Sequence, residues 1–314
     1  MSAHHGVIET QRLTKRYGRF TALDNLDLRI EAGALFGFIG PNGAGKTTTL
    51  RMLAGLLEPS SGQISLNGQD ISQDVGAARW LVGYMPDFFG VYEDMKVWEY
   101  LDFFARCYRL DAKKRGRVVT ELLELVDLAS RRDAWVESLS RGMRQRLCLA
   151  HALVHDPQIL LLDEPASGLD PRARIEMREL LKELSALGKT IIISSHILTE
   201  LAEMCNQVGI IEHGRLLYHG PPQRISQQMH GHRQLHLRTL ADQPEVEAGL
   251  NSYLGVTGYQ LADDGWQITF TGDDTTLAGL LSHLIEYKIP VVHFSEEATN
   301  LEAVFMQITT GEVK

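Results

Sequence analysis

The nine residues Gly40-Pro41-Asn42-Gly43-Ala44-Gly45-Lys46-Thr47-Thr48 restrict this chain more than any other stretch. They fit G-x-x-x-x-G-K-[ST], a pattern that works by wrapping phosphate in backbone N–H groups. The flanks supply the context. Leu35 to Ile39 is a short apolar run that reads as a buried strand, and Lys46 to Leu53 reads as a helix that Gly55 ends. Gly40, Gly43 and Gly45 admit tight or positive-φ turns without a Cβ clash. Bare N–H groups at the helix start suit an anion. Lys46 places a point charge on the outer phosphates, and Thr47 offers a hydroxyl to Mg²⁺. The competing reading is a glycine-rich turn ending in a solvated lysine; the strand and helix on either side count against it.

The rest of the first two thirds alternates. Val7 to Ile30 reads as antiparallel strands with a turn at Tyr17-Gly18-Arg19; Tyr17 is a candidate platform for an adenine ring, but on local sequence alone a half-buried strand tyrosine is the better reading. Gln63 to Leu66 is a short strand before the Asn67-Gly68 hairpin signal, and Leu81 to Met85 is another, ended by Pro86. From Asp87 to about Trp135 the texture turns helical. Val97, Tyr100, Leu101 and Phe104 recur at helical spacing, as do Val118, Leu122, Leu125 and Val126. The aromatics Phe88, Phe89, Tyr92, Trp98, Phe103 and Phe104 are assigned mostly to the core. Alternation then resumes: helix Gly142 to Val154, strand Ile159 to Leu162, helix Pro171 to Leu187, strand Thr190 to Ser194, helix Leu198 to Cys205, strand Val208 to Ile211. Short connections between such elements predict a mainly parallel sheet with helices on both faces.

Gly220-Pro221-Pro222 marks a boundary. The expected division is residues 1–220, with a helical subdomain over about 87–135, and a small α+β accessory domain over 221–314. That accessory domain would hold strands at Gln234 to Arg238, Trp266 to Thr271 and Val291 to Phe294. Its helices would be Val246 to Leu254, Leu277 to Ile285 and a closing Leu301 to Ile308. His230, His232 and His236 lack an acidic or cysteine partner in sequence and do not read as a metal site.

Two further stretches carry chemistry. Ile159 to Leu162 leads into Asp163-Glu164, which delivers two carboxylates to the C-terminal end of a strand, where ligands of α/β sheets bind. Asp163 can hold Mg²⁺ through water, and Glu164 can act as a general base on an attacking water. Ser140 is a good N-cap for the preceding helix. Ser140 with the N–H groups of Gly142 and Met143 can bind an anion there.

This constellation resembles the nucleotide-binding domain of ABC transporters, a P-loop NTPase fold, over about Val7 to Gly220. Gly40 to Thr48 matches Walker A and Ile159 to Glu164 matches Walker B. Leu139 to Gln145 is similar to the signature motif and Ser167-Gly168-Leu169-Asp170 to the D-loop. His196 falls where the family has its switch histidine, and Tyr17 where it stacks adenine. The resemblance implies ATP and Mg²⁺ as cofactors, with Thr47, Asp163 and Asp87 toward the metal and Glu164 and His196 catalytic. It also implies separate membrane-spanning permease subunits, a second copy of this chain, and a peripheral place on the cytoplasmic side of the inner membrane. Two positions depart from the common pattern. The signature reads Ser-Arg-Gly-Met for Ser-Gly-Gly-Gln, and Asp87 replaces the usual glutamine. Pro86 to Gly90 and the ending Asn300 to Phe305 are similar to the ATPase subunits of ABC-2 type exporters.

Composition limits the rivals. The net charge of −9 and pI of about 5.7 argue against a nucleic-acid binder held by phosphate contacts. Met1 to Thr10 has no apolar core of a secretory signal, and no run approaches the ~20 apolar residues of a membrane helix. Cys107, Cys148 and Cys205 share no motif spacing and are expected reduced. A soluble ABC ATPase of translation or DNA repair is the alternative, though such chains usually carry two cassettes or a long coiled coil. A GTPase lacks its Asn-Lys-x-Asp motif here.

Overall fold

The computed structural model describes residues 7–72, 74–88, 90, 92, 94–225, 233–262 and 264–296. They divide into two compact units, one ending at Pro222 and the other beginning at Gln223.

The first unit is built on two sheets. Strands β1 (Ile8–Tyr17), β2 (Phe20–Ile30), β4 (Ser61–Leu66) and β5 (Gln69–Asp70) form an antiparallel sheet in the order β2-β1-β4-β5. Asn67 and Gly68, at φ 51° and 77°, make the tight turn into β5. The second sheet holds β3 (Leu35–Ile39), β6 (Val82–Met85), β7 (Ile159–Asp163), β8 (Thr190–Ser195), β9 (Gln207–Glu212) and β10 (Arg215–Gly220). Its order is β10-β9-β3-β8-β7-β6, parallel except for the β9–β10 hairpin at the edge. All residues of β3, β7 and β8 are buried, as expected of parallel strands covered on both faces.

Helix α1 (Lys46–Leu53) joins the sheets. Its Leu50, Met52 and Leu53 share one core with Ile8, Leu23 and Ile64 of the antiparallel sheet and with Phe38, Leu161 and Ile192 of the parallel one. Each such side chain contributes about 1.5–3 kcal/mol of burial, so the segment leaving β3 is held from both sides.

Helix α2 (Val75–Leu81) replaces the start of the strand expected from Leu81; Asp74 caps it by accepting from the Gly76 N–H at 3.1 Å. Next come α3 (Val97–Cys107) and α4 (Ala112–Leu125) of the helical insertion, then α5 (Arg141–Leu153), α6 (Pro171–Ala186) and the short α7 (Leu198–Ala202). Of the expected stripe, Leu122 and Val126 are buried, while Val118 and Leu125 are half-buried and Val119 and Leu123 complete the inner face. The core assignment of the aromatics fails. Phe88 is 89% exposed, Tyr92 56% and Phe103 41%, while Trp98 and Phe104 are half-buried; Phe89 lies outside the described residues. Val97, Tyr100, Leu101 and Ala105 already fill the inward face of α3, which leaves the larger rings outside.

The second unit runs β11 (Arg233–Thr239), α8 (Gln243–Asn251), β12 (Val256–Ala262), β13 (Gly265–Phe270), α9 (Asp274–Glu286) and β14 (Val291–Glu296). Its antiparallel order β12-β13-β11-β14 makes a split βαβ, ferredoxin-like layer over a core of Leu235, Leu250, Trp266, Phe270 and Leu284. Strand β12 has no counterpart in the sequence reading. It is an edge strand with a register shift between Val256 and Gly258, so its polar and apolar residues do not alternate cleanly. The closing helix Leu301 to Ile308, and His230 and His232, lie outside the described residues. His236 does have an acidic neighbour, with Nε2 3.5 Å from Asp264 Oδ2, but no cluster of three metal-ligating side chains occurs among the described residues.

One histidine near the end of α5 and one just beyond it stack on α3 and its C-terminal cap. His151 lies 3.7 Å from the Phe104 ring and His155 4.0 Å from Tyr108, and burial lowers the pKa of each to about 4. An unfolded histidine, at its ordinary 6.5, binds a proton that the folded one refuses until about 4. The stability these neutral rings contribute is therefore full above pH 6.5 and is lost as pH falls toward 4. His151→Phe should flatten that acid loss by up to about 3 kcal/mol. Denaturant midpoints measured across the window check it, and an unchanged slope would refute it.

Candidate nucleotide site

Parallel pairing sets the site. Ile39 of β3 lies opposite Ser195 of β8, Asp163 of β7 opposite Ser194, and Met85 of β6 opposite Leu162. The segments that follow, Gly40 onward, Glu164, His196 and Asp87, thus leave the same edge of the sheet, at the carboxyl ends of its strands.

The glycine loop is fixed by close backbone approach. A Cβ on Gly40 would lie 2.3 Å from the Ile211 carbonyl, and one on Gly45, at φ 110°, 2.7 Å from the Ala22 carbonyl. The Gly214 N–H donates to the Ala44 carbonyl at 3.0 Å, so the β9–β10 turn braces the loop. Lys46 is only 6% exposed. Its Nζ donates to the carbonyls of Gly40 at 2.6 Å and Pro41 at 3.2 Å, and lies 3.8 Å from Glu164 Oε1. Burial lowers its pKa from the ordinary lysine value, while Glu164, Asp163 and Asp87 pull it back up.

Asp163 is buried. Ser194 Oγ donates to its Oδ1 at 2.5 Å and accepts the Glu164 N–H at 3.0 Å, while Oδ2 is buried without a partner. Glu164 adopts φ 51°, a left-handed turn just past the strand. Its carboxylate meets His196 Nδ1 at 3.0 and 3.2 Å. A cavity of about 260 Å³ is lined by Tyr17, Phe20, Ala22, Pro41 to Thr48, Asp87, Asp163 and Glu164. His196 reaches it through Glu164. Ser140, Gly142 and Met143 do not line it, and the Met143 N–H is taken by its own cap, Ser140 Oγ, at 3.3 Å.

The sequence profile of the ABC transporter family matches residues 23–167. The Nod factor export ATP-binding protein I of Cupriavidus metallidurans is 44% identical over 219 residues, 70% of this chain and 72% of that one. The chain belongs to the ABC transporter family. The Nod factor export ATP-binding protein I of Ralstonia nicotianae is 35% identical over 98% of this chain and 95% of that one. Among solved structures, an ATP-binding subunit of an ABC transporter shares a TM-score of 0.64 and 31% identity over 71% of this chain and 92% of that one. A subunit of the cbiONQ ABC transporter complex of Clostridium perfringens gives 0.64 and 27%, over 70% and 90%. The protein is an ATP-binding, ATP-hydrolysing subunit of a transporter; relatives named for export favour this over the soluble ATPase reading. No helix among the described residues is long and apolar enough to cross a membrane.

In this ABC ATPase, two lining or supporting residues escape a sequence reading. Phe20 pairs with Tyr17 across the first hairpin and adds a second ring at the mouth. The hairpin turn at Gly18 was the available signal. Ser194 had none, because its partners lie about thirty residues away on a neighbouring strand. Ser194→Ala should cost about 2–3 kcal/mol, since it leaves a buried amide and a carboxylate oxygen unpaired. Urea unfolding reads this directly, and a change within about 0.5 kcal/mol would contradict the role.

Proposed function

We propose that two copies of this chain clamp ATP between them. In this reading each nucleotide meets the loop Gly40 to Thr48 and Tyr17 of one copy and Ser140, Gly142 and Met143 of the other. The observation that carries it is a division of labour. The loop, Asp87, Asp163 and Glu164 share one cavity, and the start of α5 stays outside it. A second, two-fold related copy supplies what the cavity lacks, through a closed isologous interface.

Glu164 is the general base on the attacking water, and His196 orients it through the Nδ1 contact. The unpaired Asp163 Oδ2 fits a hydrated cation, as do the Thr47 hydroxyl and Asp87 in the same cavity. Mg²⁺ held there would neutralise charge on the outer phosphate oxygens. Loss of the bridging γ-phosphate opens the dimer, and the helical insertion passes the motion to separate membrane-spanning subunits. The exposed rings of Phe88, Tyr92 and Phe103 support that docking role, since apolar surface of this kind marks interaction sites. The chain then sits peripherally on the cytoplasmic side of the inner membrane, and export is the direction its relatives suggest. Residues 1–220 form the ATP-binding domain and 221–314 an accessory domain; the division near Pro222 supports this split.

Glu164→Gln should bind ATP and dimerise but hydrolyse it ~10²–10⁴-fold more slowly. Light scattering with Mg-ATP tests the dimer and phosphate release tests the base; a monomer, or a near wild-type rate, removes the corresponding role. Lys46→Ala should abolish tight ATP binding, and unchanged affinity in a titration would exclude the loop as the phosphate site.

A further inference from the structure

Arg141 occupies the signature position where the family's common form has glycine. It begins α5, yet its side chain reaches the segment after Glu164. Nη2 donates to the Ser167 carbonyl at 2.9 Å. The buried Gln145, one turn further along α5, donates Nε2 to the same carbonyl at 3.2 Å. Gly168 completes the seat. It has φ 66°, and a Cβ there would lie 2.3 Å from Arg141 Cζ. The glycine therefore gives the turn its left-handed residue and also leaves room for the guanidinium. Gly142 lies close to Leu169 and Ala173 side chains, and Asp170 caps α6 by accepting the Ala173 N–H at 3.0 Å. The start of α5, residues 167–170 and the start of α6 are thereby one connected block.

Ser167 and Gly168 also wall a cavity of about 250 Å³, together with Met177, Leu181, His196 and Leu201. An exposed arginine keeps most of its rotamer freedom unless its guanidinium finds an acceptor; here Nη2 finds the Ser167 carbonyl and the plane of the group lies over Gly168.

We propose that Arg141 is a positioning residue that clamps Ser167–Asp170 to the start of α5. This rests on the two-copy reading above, in which Ser140 and Gly142 face the partner's nucleotide. With the clamp made, residues 167–170 approach the partner copy together with the signature. Without it, the two arrive independently, and fewer encounters produce a reactive geometry.

The test uses the full chain with Arg141→Ala and Arg141→Lys. At protein concentrations too low for two copies to pair, a fluorescent ATP analogue should bind the Ala variant as it binds wild type, because every residue lining the nucleotide cavity of the single chain is kept. For the Ala variant kcat should fall roughly tenfold, with KM within about twofold and a lower Hill coefficient for ATP. Arg141→Lys, which keeps an N–H donor but loses the planar group that lies against Gly168, should recover part of kcat. Amide hydrogen exchange over residues 166–170 of the nucleotide-free protein should quicken in the Ala variant. Unchanged exchange overturns the clamp, and faster exchange with unaltered kcat overturns its positioning role. If Glu164→Gln stays monomeric with Mg-ATP, the two-copy reading fails, while the exchange experiment still decides whether the clamp exists.

Discussion

An ammonium group held almost out of water dictates much of the surrounding architecture. Taking Lys46 to 6% exposure carries a desolvation cost of several kcal/mol. Two backbone carbonyls and the Glu164 carboxylate offset it. Those carbonyls belong to the loop itself, so the loop must curl tightly around its own lysine. Tight curling brings Gly40 against Ile211 and Gly45 against Ala22, which a side chain at either position would prevent. The antiparallel sheet and the β9–β10 edge are thus both placed by the needs of one side chain. The shared core across α1 then makes that placement rigid.

Strand geometry alone would send Asp163 and Glu164 to opposite faces. Asp163 obeys and is buried. Glu164 escapes through a left-handed backbone that costs a non-glycine residue about 1–2 kcal/mol. Such strain persists only where neighbours over-determine it. Here Ser194 fixes the Glu164 amide, and His196 and Lys46 hold its carboxylate. One hydroxyl serves both acids, accepting from one backbone and donating to the other side chain. The orientation of the proposed base thus depends on a strand that contributes no acid of its own.

This distribution explains what could be read from the chain. The glycine loop, β3, α1 and β7 were legible because motif, apolar run and breaker coincide within a few residues. The parallel sheet followed from short connections. Helix α2 was not legible, since Val75 to Leu81 is too short for a periodic face and its cap, Asp74, is an ordinary surface acid. The face of α4 is only partly legible: Leu122 and Val126 bury as their spacing predicts, but Val118 and Val119 are adjacent apolar residues, and only packing against α3 and α5 chooses between them. The pairing of β11 with β13 and β14 turns the second unit into a ferredoxin-like layer, and pairing between distant strands leaves no local trace.

The outward aromatics follow from the same economy of space. Helix α3 commits Val97, Tyr100, Leu101 and Ala105 to its inner face, and Tyr92, Phe103 and Phe104 gather into ring contacts of 5.1 to 6.4 Å beside it. That cluster begins close to the end of β6. Asp87 lines the nucleotide cavity, and Phe88, its immediate neighbour, is almost wholly exposed. One peptide bond joins the cavity wall to this exposed ring, and Pro86 stiffens the backbone on the strand side. A chain with a net charge of −9 cannot attract a nucleotide by its overall field. Its local donors do so: the Lys46 ammonium and the backbone N–H groups of the glycine loop act at contact distance, where the net charge of the whole chain matters little.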